Sequence, residues 1–269
     1  MDISIGQYYP TNSILHKLDP RVKFIWTIVY IVSLFLVRGI LGYGIAVATL
    51  VALMAISRVP FSTLLKSMKA VWFILIITAV FNLFLTRGTV VFTLGPLHIT
   101  EEGIRLTVRM AVRLVFLVIG ASLMTLTTTP TALTDAMENL FTFLGVFHVP
   151  VHEIAMMMSI ALRFIPILTE ETDKIKKAQI ARGADFESGN FIQRIRAMMP
   201  LLVPLFVSAF RRANDLAMAM EARCYHGGDR TRMKPLKYAK RDFNAYLLMC
   251  LYLALCIFSR VAYGTLFLL

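Results

Sequence analysis

Five uncharged apolar runs constrain the fold of this chain more than any other feature. They cover residues 24–37, 39–57, 70–86, 114–134 and 243–259, and contain 14, 19, 17, 21 and 17 residues. A helix rises about 1.5 Å per residue, so about 20 residues cross a hydrocarbon core of about 30 Å. With 58% hydrophobic and 16% charged residues, the chain is also far more apolar than a soluble domain. The sequence therefore predicts an all-α integral membrane protein with about five transmembrane helices.

Charge divides the chain into three predicted parts. Residues 1–129 form an N-terminal membrane domain of four spans, residues 130–241 a charged domain, and residues 242–269 a C-terminal transmembrane helix. Lysine and arginine accumulate on the cytoplasmic side of membrane proteins. Of 28 such residues, 22 lie in the N-terminal tail, the 57–69 connection and the 130–241 segment. We therefore expect the N-terminus and the charged domain to be cytoplasmic.

The charged domain contains two predicted long amphipathic helices. They run from about His152 to Arg182 and from about Phe191 to Arg223, with Ser188-Gly189-Asn190 between them. Charges spaced four residues apart, such as Glu170 and Lys174, belong in water or at a protein surface, since a charge at the bilayer centre costs at least about 2.5 kcal/mol. We expect these helices to be mainly cytoplasmic.

Each predicted helix ends in a similar tripeptide, Ala181-Arg182-Gly183 or Ala222-Arg223-Cys224. Gly183 suits a helix end in the left-handed conformation. An arginine at one such end can simply complement the helix dipole. Two such arginines at matching helix ends indicate a docking role, because the planar guanidinium fork suits binding to carboxylates or carbonyls of a partner.

Small residues recur every fourth position on two helices, which allows close helix approach. Gly44, Ala48 and Ala52 are predicted to pack within the chain or against a partner. Ala209, Ala213 and Ala217 would allow the two long helices to cross closely.

Two further features lie before the fourth run. Residues 89–100 surround Gly95-Pro96 with strand-forming residues, which indicates a hairpin or an interfacial loop. Arg105, Arg109 and Arg113 are four residues apart on one helical face, and we expect them to face protein or water.

The sequence contains no pattern for chemistry of its own. A phosphate-binding G-x-x-x-x-G-K-[ST] loop is absent, and His152-Glu153 cannot begin a zinc-protease motif because position 156 is methionine. Nor does any residue resemble a nucleophile with its base. We therefore expect no catalytic, metal or cofactor-binding residues. The net charge of +12 is explained by cytoplasmic flanks, and no nucleic-acid recognition module is present.

Four segments, taken in order, resemble the EcfT family, the T components of energy-coupling factor transporters. They are residues 15–21 (LHKLDPR), 99–103 (ITEEG), 162–166 (LRFIP) leading to Ala181-Arg182-Gly183, and Pro200 with Pro204 leading to residues 219–223 (AMEAR). In the bacterial cell membrane, this family imports vitamins or cobalt and nickel ions. The resemblance covers nearly the whole chain.

The resemblance implies a scaffold without catalytic activity. Its cytoplasmic helices cross and dock their ends into two ABC-type ATPase subunits, which bind the ATP, while the membrane part holds a substrate-binding S component. Arg182 and Arg223 are then the docking residues, flanked by Ala181 and Ala222, and Cys224 replaces the family's glycine. Two alternatives remain open: a self-sufficient membrane enzyme or carrier, and a permease that itself lines a solute pathway.

Overall fold

The computed structural model describes residues 8–37, 39–69, 71–94, 97–186, 190–227 and 236–266. Within these ranges almost all regular structure is helical, which confirms the predicted all-α membrane protein. The elements are α1 (Pro20–Leu36), α2 (Gly39–Ser57), α3 (Phe61–Met68), α4 (Trp72–Leu85), β1 (Val90–Leu94), β2 (Leu97–Thr100), α5 (Glu101–Thr127), α6 (Pro130–Phe141), a 3-10 helix (Thr142–Phe147), α7 (Val151–Ala181), α8 (Phe191–Glu221) and α9 (Lys240–Leu266).

Three described helices are long and apolar enough to cross a membrane: α5, α7 and the Lys240–Ala262 part of α9. A fourth span exists if α3 and α4, which meet at 59°, form one broken span. The apolar run predicted at 70–86 is thus only part of that bent pair. Helix α7 was predicted to be mainly cytoplasmic, but by its length and composition it could also cross a membrane.

The chain forms two compact units. The first, called the membrane unit here, comprises Gly6–Ala136 and Pro235–Leu269; the second, called the hairpin unit, comprises Met1–Ile5 and Met137–Lys234. In the membrane unit, α1, α2, α5 and α9 surround a core that includes Tyr30, Leu34 and Tyr252. The Trp26 indole N–H donates to the Ala245 carbonyl at 3.0 Å, and the Ser33 and Tyr252 hydroxyls lie 2.5 Å apart. Such bonds join helices α1 and α9 where lipid offers no competing partner.

One end of the membrane unit is organised around Asp242, which is 2% exposed. Its carboxylate accepts the backbone N–H groups of Asp19, at 2.9 Å, and of Ala239, at 2.7 Å. Asp19 in turn accepts two guanidinium hydrogen bonds from Arg21, and the Lys23 ammonium donates to the Thr127 carbonyl at 2.8 Å. These bonds connect the start of α1 with the start of α9 and the end of α5.

Helix α5 begins and ends earlier than the predicted run at 114–134. Only 14 residues of that run, 114–127, are in α5, about 21 Å of helix, so a span through α5 must include Arg113. This side chain is half-buried, donates to the Tyr43 hydroxyl at 3.2 Å and lies over the Phe35 ring at 5.2 Å. Arg105 and Arg109 are exposed. Of the three arginines predicted to face protein or water, Arg113 therefore contacts protein, while positions four apart drift around a helix of 3.6 residues per turn and leave Arg105 and Arg109 at the surface.

The small-residue stripe on α2 points away from the core of the membrane unit. Gly44, Ala48 and Ala52 are all exposed, and a Cβ at Gly44 would meet no atom within 4 Å. Helix α2 instead buries Gly42 and Ala46, which form a second small pair four residues apart. A Cβ at Gly42 would lie 3.0 Å from the Ser259 hydroxyl of α9. The sequence contained both stripes, and only the neighbouring helices decide which one is buried.

The predicted hairpin before α5 is confirmed. Strands β1 and β2 pair antiparallel from Val90 with Thr100 to Leu94 with Leu97, and the predicted turn residues Gly95-Pro96 lie outside the described part of the chain. The Thr100 hydroxyl accepts the Gly103 N–H at 3.1 Å and so caps the start of α5.

Candidate functional site

Helices α7 and α8 of the hairpin unit end at the two predicted tripeptides, Ala181-Arg182-Gly183 and Ala222-Arg223-Cys224, which are called the arginine tips here. Their bounds, Val151–Ala181 and Phe191–Glu221, agree with the predicted ranges to within two residues. The start of α7 is held by His152, whose Nδ1 lies 2.8 Å from the Glu138 carboxylate of α6. At the start of α8, the Asn190 N–H donates to the Gln193 side chain at 3.0 Å; Ser188 and Gly189 are outside the described residues.

The two long helices run antiparallel and are joined by side-chain hydrogen bonds. Glu171 of α7 accepts from the Ser208 hydroxyl and the Arg212 guanidinium of α8, each at 2.7 Å. Eight residues later, the Gln179 amide donates to the Pro200 carbonyl at 3.3 Å. As α7 advances, its contacts move backwards along α8, so the helices' carboxyl ends point in opposite directions.

The antiparallel arrangement separates Arg182 from Arg223. Gln179 lies at the level of Pro200, Arg182 lies three residues beyond Gln179 in one direction, and Arg223 lies 23 residues beyond Pro200 in the other. At about 1.5 Å per residue, the two arginines are roughly 39 Å apart along the helix pair. The paired helices therefore present one tip at each end of the pair.

The first tip is a Schellman helix end. The Gly183 N–H donates to the Ile180 carbonyl at 2.9 Å, and the Ala184 N–H donates to the Gln179 carbonyl at 3.0 Å. These are the two hydrogen bonds of the Schellman motif, with Gly183 in the left-handed conformation at φ +86°. Arg182 is thus the last residue before the chain turns away, and its side chain is exposed.

The second tip repeats this geometry with cysteine in place of glycine. The Cys224 N–H donates to the Glu221 carbonyl at 2.8 Å, and the Tyr225 N–H donates to the Met220 carbonyl at 3.1 Å. Cys224 has φ +56°, so it occupies the same left-handed position as Gly183. Arg223 therefore occupies the position equivalent to that of Arg182 in the first tip, and it is also exposed. Replacement of the glycine leaves the form of the helix end unchanged.

Cys224→Gly is expected to stabilise the second tip. A residue with a Cβ in the left-handed conformation costs about 1 kcal/mol relative to glycine, which corresponds to roughly a fivefold shift in local opening. Amide hydrogen exchange at Tyr225 should slow by about that factor. Gly183→Ala is the matched change at the first tip and should speed exchange at Ala184. Equal exchange at Tyr225 in wild type and Cys224→Gly would contradict the expectation.

The alanine stripe of α8 is not centred on the contact with α7. Ala209 is half-buried, whereas Ala213 and Ala217 are exposed. The contact instead uses Ser208 and Arg212, one position earlier in each turn. A polar contact through Glu171 replaces the close crossing through alanines that the sequence indicated.

Helix α8 also has an exposed apolar face. Large side chains recur at helical spacing along it, and an open groove runs beside them. The face includes Ile195, Met198, Met199, Leu202, Val203, Phe206, Val207 and Phe210, all at least 39% exposed. A contiguous apolar surface of this kind is typical of a protein contact or a membrane contact.

Groups for metal or solute chemistry are sparse in the described residues. No cluster of three or more His, Cys, Asp or Glu side chains there could hold a metal ion. The membrane unit has a cavity of about 260 Å³ with a mostly apolar lining that includes Lys23, Trp26 and Tyr30.

The fold defines a helical membrane protein with two exposed arginines at the ends of its two longest helices. The chain matches the family model CbiQ, described as a cobalt transport protein, over residues 11–235. It is 53% identical over 267 residues to the energy-coupling factor transporter transmembrane protein EcfT of Clostridium kluyveri, covering 98% of each chain.

Two further relatives carry the same name. The protein of Ruminiclostridium cellulolyticum is 53% identical over 242 residues, covering 90% of this chain and 91% of the relative. That of Bacillus subtilis is 43% identical over 258 residues, covering 95% and 97%. The chain belongs to the EcfT family of energy-coupling factor transporter transmembrane proteins.

Proposed function

We propose that this chain transmits movement between two ABC-type ATPase subunits and a membrane-embedded S component, for uptake of vitamins or transition-metal ions. The observation that carries the proposal is the pair of exposed arginine tips with the same Schellman geometry at opposite ends of the α7–α8 pair. One tip docks into each ATPase subunit. Movement of the ATPases then displaces the helices, which reorients the S component.

The chemistry of the tips supports docking onto a protein. Arg182 and Arg223 are both exposed, and neither has an ion-pair partner among the described residues. Arginine offers five N–H donors in a planar fork that matches carboxylates and backbone carbonyls. The small flanking residues Ala181 and Ala222 allow a partner's surface to approach the helix ends closely.

Apolar surfaces support a partner in the membrane. The exposed face of α8 and the exposed stripe Gly44, Ala48 and Ala52 are suited to an apolar S component or the bilayer. In this proposal the chain lies in the bacterial cell membrane with its N-terminus cytoplasmic. It has no catalytic activity or cofactor of its own, and ATP is bound by the partner subunits.

Reconstitution of defined subunits tests this proposal. Proteoliposomes that contain this chain, two ATPase subunits and one S component should take up substrate on addition of ATP. Liposomes that lack any one of the three should show background uptake only. Substrate turnover or uptake by this chain alone would contradict the proposal and support the self-sufficient carrier. Substrate binding to the isolated chain would support the permease, for which the cavity beside Lys23 is the candidate pathway.

A further inference from the structure

Prolines in α8 create a hydrogen-bond acceptor inside a helix. In an α-helix each carbonyl accepts the N–H of the residue four positions later. Pro204 has no N–H, so the carbonyl of Pro200 lacks its helical donor. An unpaired carbonyl in mid-helix is free to accept a hydrogen bond from another element.

The other long helix supplies the missing donor. The Gln179 amide of α7 donates to the Pro200 carbonyl at 3.3 Å. Pro200 in the same way leaves the Arg196 carbonyl one turn earlier without its helical donor, and of these two acceptors Gln179 takes that of Pro200. The hydrogen bond therefore holds the Gln179 turn of α7 beside the Pro200 turn of α8.

A second contact, eight residues earlier on α7, is charged. Glu171 uses both carboxylate oxygens, one for Ser208 and one for Arg212, and Arg212 and Ser208 are one helical turn apart. The Glu171 side chain is 24% exposed, so the ion pair is partly shielded from water. Two separate bridges, each with its own geometry, resist both sliding and rotation of one helix against the other.

We infer that Glu171 and Gln179 are positioning residues that lock the register of α7 and α8, so that the two arginine tips move as one rigid body. This inference rests on the proposed function for its consequence in transport, but the lock itself is a property of the chain alone. Without the lock, each tip moves with its own ATPase subunit. Helices α7 and α8 then slide past each other, and the movement does not reach the S component.

The distance between the helices tests the lock directly. Spin labels at Lys177→Cys and Ala219→Cys, both exposed positions, report the separation of the helix ends in the full-length chain with its three native cysteines replaced. Glu171→Ala with Gln179→Ala should broaden the distance distribution about twofold or more. The control Glu170→Ala, an exposed neighbour of Glu171, should leave it unchanged. An unchanged distribution in the double variant would overturn the inference.

Pro204→Ala provides an independent test of the Gln179 bridge. The new alanine restores the N–H that pairs with the Pro200 carbonyl, so a helical donor competes with Gln179 for that acceptor. Pro204→Ala should therefore broaden the spin-label distance distribution as Gln179→Ala does. The distribution of the combined variant should be no broader than that of either single variant. Additive broadening would show that the two residues act separately and would overturn the proposed bridge.

Transport measurements then show whether the lock matters for coupling. In the assembled complex, Glu171→Ala with Gln179→Ala should reduce uptake about tenfold, as expected for loss of a charge-assisted hydrogen bond. Co-purification and ATP hydrolysis should persist, because both tips are intact. Charge exchange, Glu171→Arg with Arg212→Glu, should recover uptake relative to Glu171→Arg alone. Loss of co-purification with a normal distance distribution would overturn the inference and assign both residues to docking.

The two proposals fail in different ways. If the chain does not couple ATPases at all, uptake is insensitive to the lock but the spin-label distances still change. If the lock is wrong, the distances stay the same while the arginine tips remain essential for uptake.

Discussion

Charge reversal of both tips, Arg182→Glu with Arg223→Glu, is expected to lower ATP-driven uptake at least about a hundredfold. Loss of one partner from a docked charge pair costs about 2–5 kcal/mol, and reversal adds repulsion. Each single variant should lower uptake less, because one docked tip still holds the complex together. Co-purification of the ATPase subunits and uptake in proteoliposomes measure the two effects.

A matched control separates docking from net charge. Lys177→Glu with Arg196→Glu changes the total charge by the same amount, and both residues are exposed on the bodies of α7 and α8. This control should assemble and transport normally. Full uptake by the double tip variant would refute the docking role of Arg182 and Arg223.

Asp242→Ala is expected to have the largest effect on stability. The buried carboxylate accepts two backbone N–H groups, from Asp19 and Ala239, and each group left unpaired costs about 1–3 kcal/mol. We expect the free energy of unfolding of the membrane unit to fall by about 3 kcal/mol, which appears as a lower Tm in detergent. Asp242→Asn keeps one acceptor oxygen and should lower Tm less.

An exposed carboxylate serves as the control for Asp242. Glu101 pairs with Arg105 near the start of α5, and its side chain is 53% exposed. Surface ion pairs contribute about 0–1 kcal/mol, so Glu101→Ala should change Tm little. Similar Tm values for the two alanine variants would show that the Asp242 hydrogen bonds do not hold the helix ends together.

Local signals in the sequence predicted α7, α8 and the hairpin well. The ends of α7 and α8 are fixed by residues next to them in the chain, such as Gly183, so their positions were predictable to within two residues. The Cys224 end was harder, because a non-glycine residue disfavours the left-handed conformation. Its hydrogen bonds match those of the first tip all the same.

Features that depend on distant neighbours could not be predicted in this way. The buried face of α2 and the exposure of Arg109 follow from which helices pack nearby. The ion pair of Glu171 joins residues 41 positions apart, whereas the sequence favoured pairs within one helix, such as Glu170 with Lys174. Ser208 and Arg212, one turn apart on α8, were the available signal for a polar contact.

The opposite placement of the two tips has a mechanical consequence. In the proposed complex, when two partner subunits close on each other, they push the α7–α8 pair in opposite directions at points roughly 39 Å apart along the helix pair. Opposed forces produce a torque on a rigid bar where they act across its axis, so pushes in that direction would turn the pair about its middle instead of shifting it sideways. An approach of the subunits would thereby become a rotation of the helix pair.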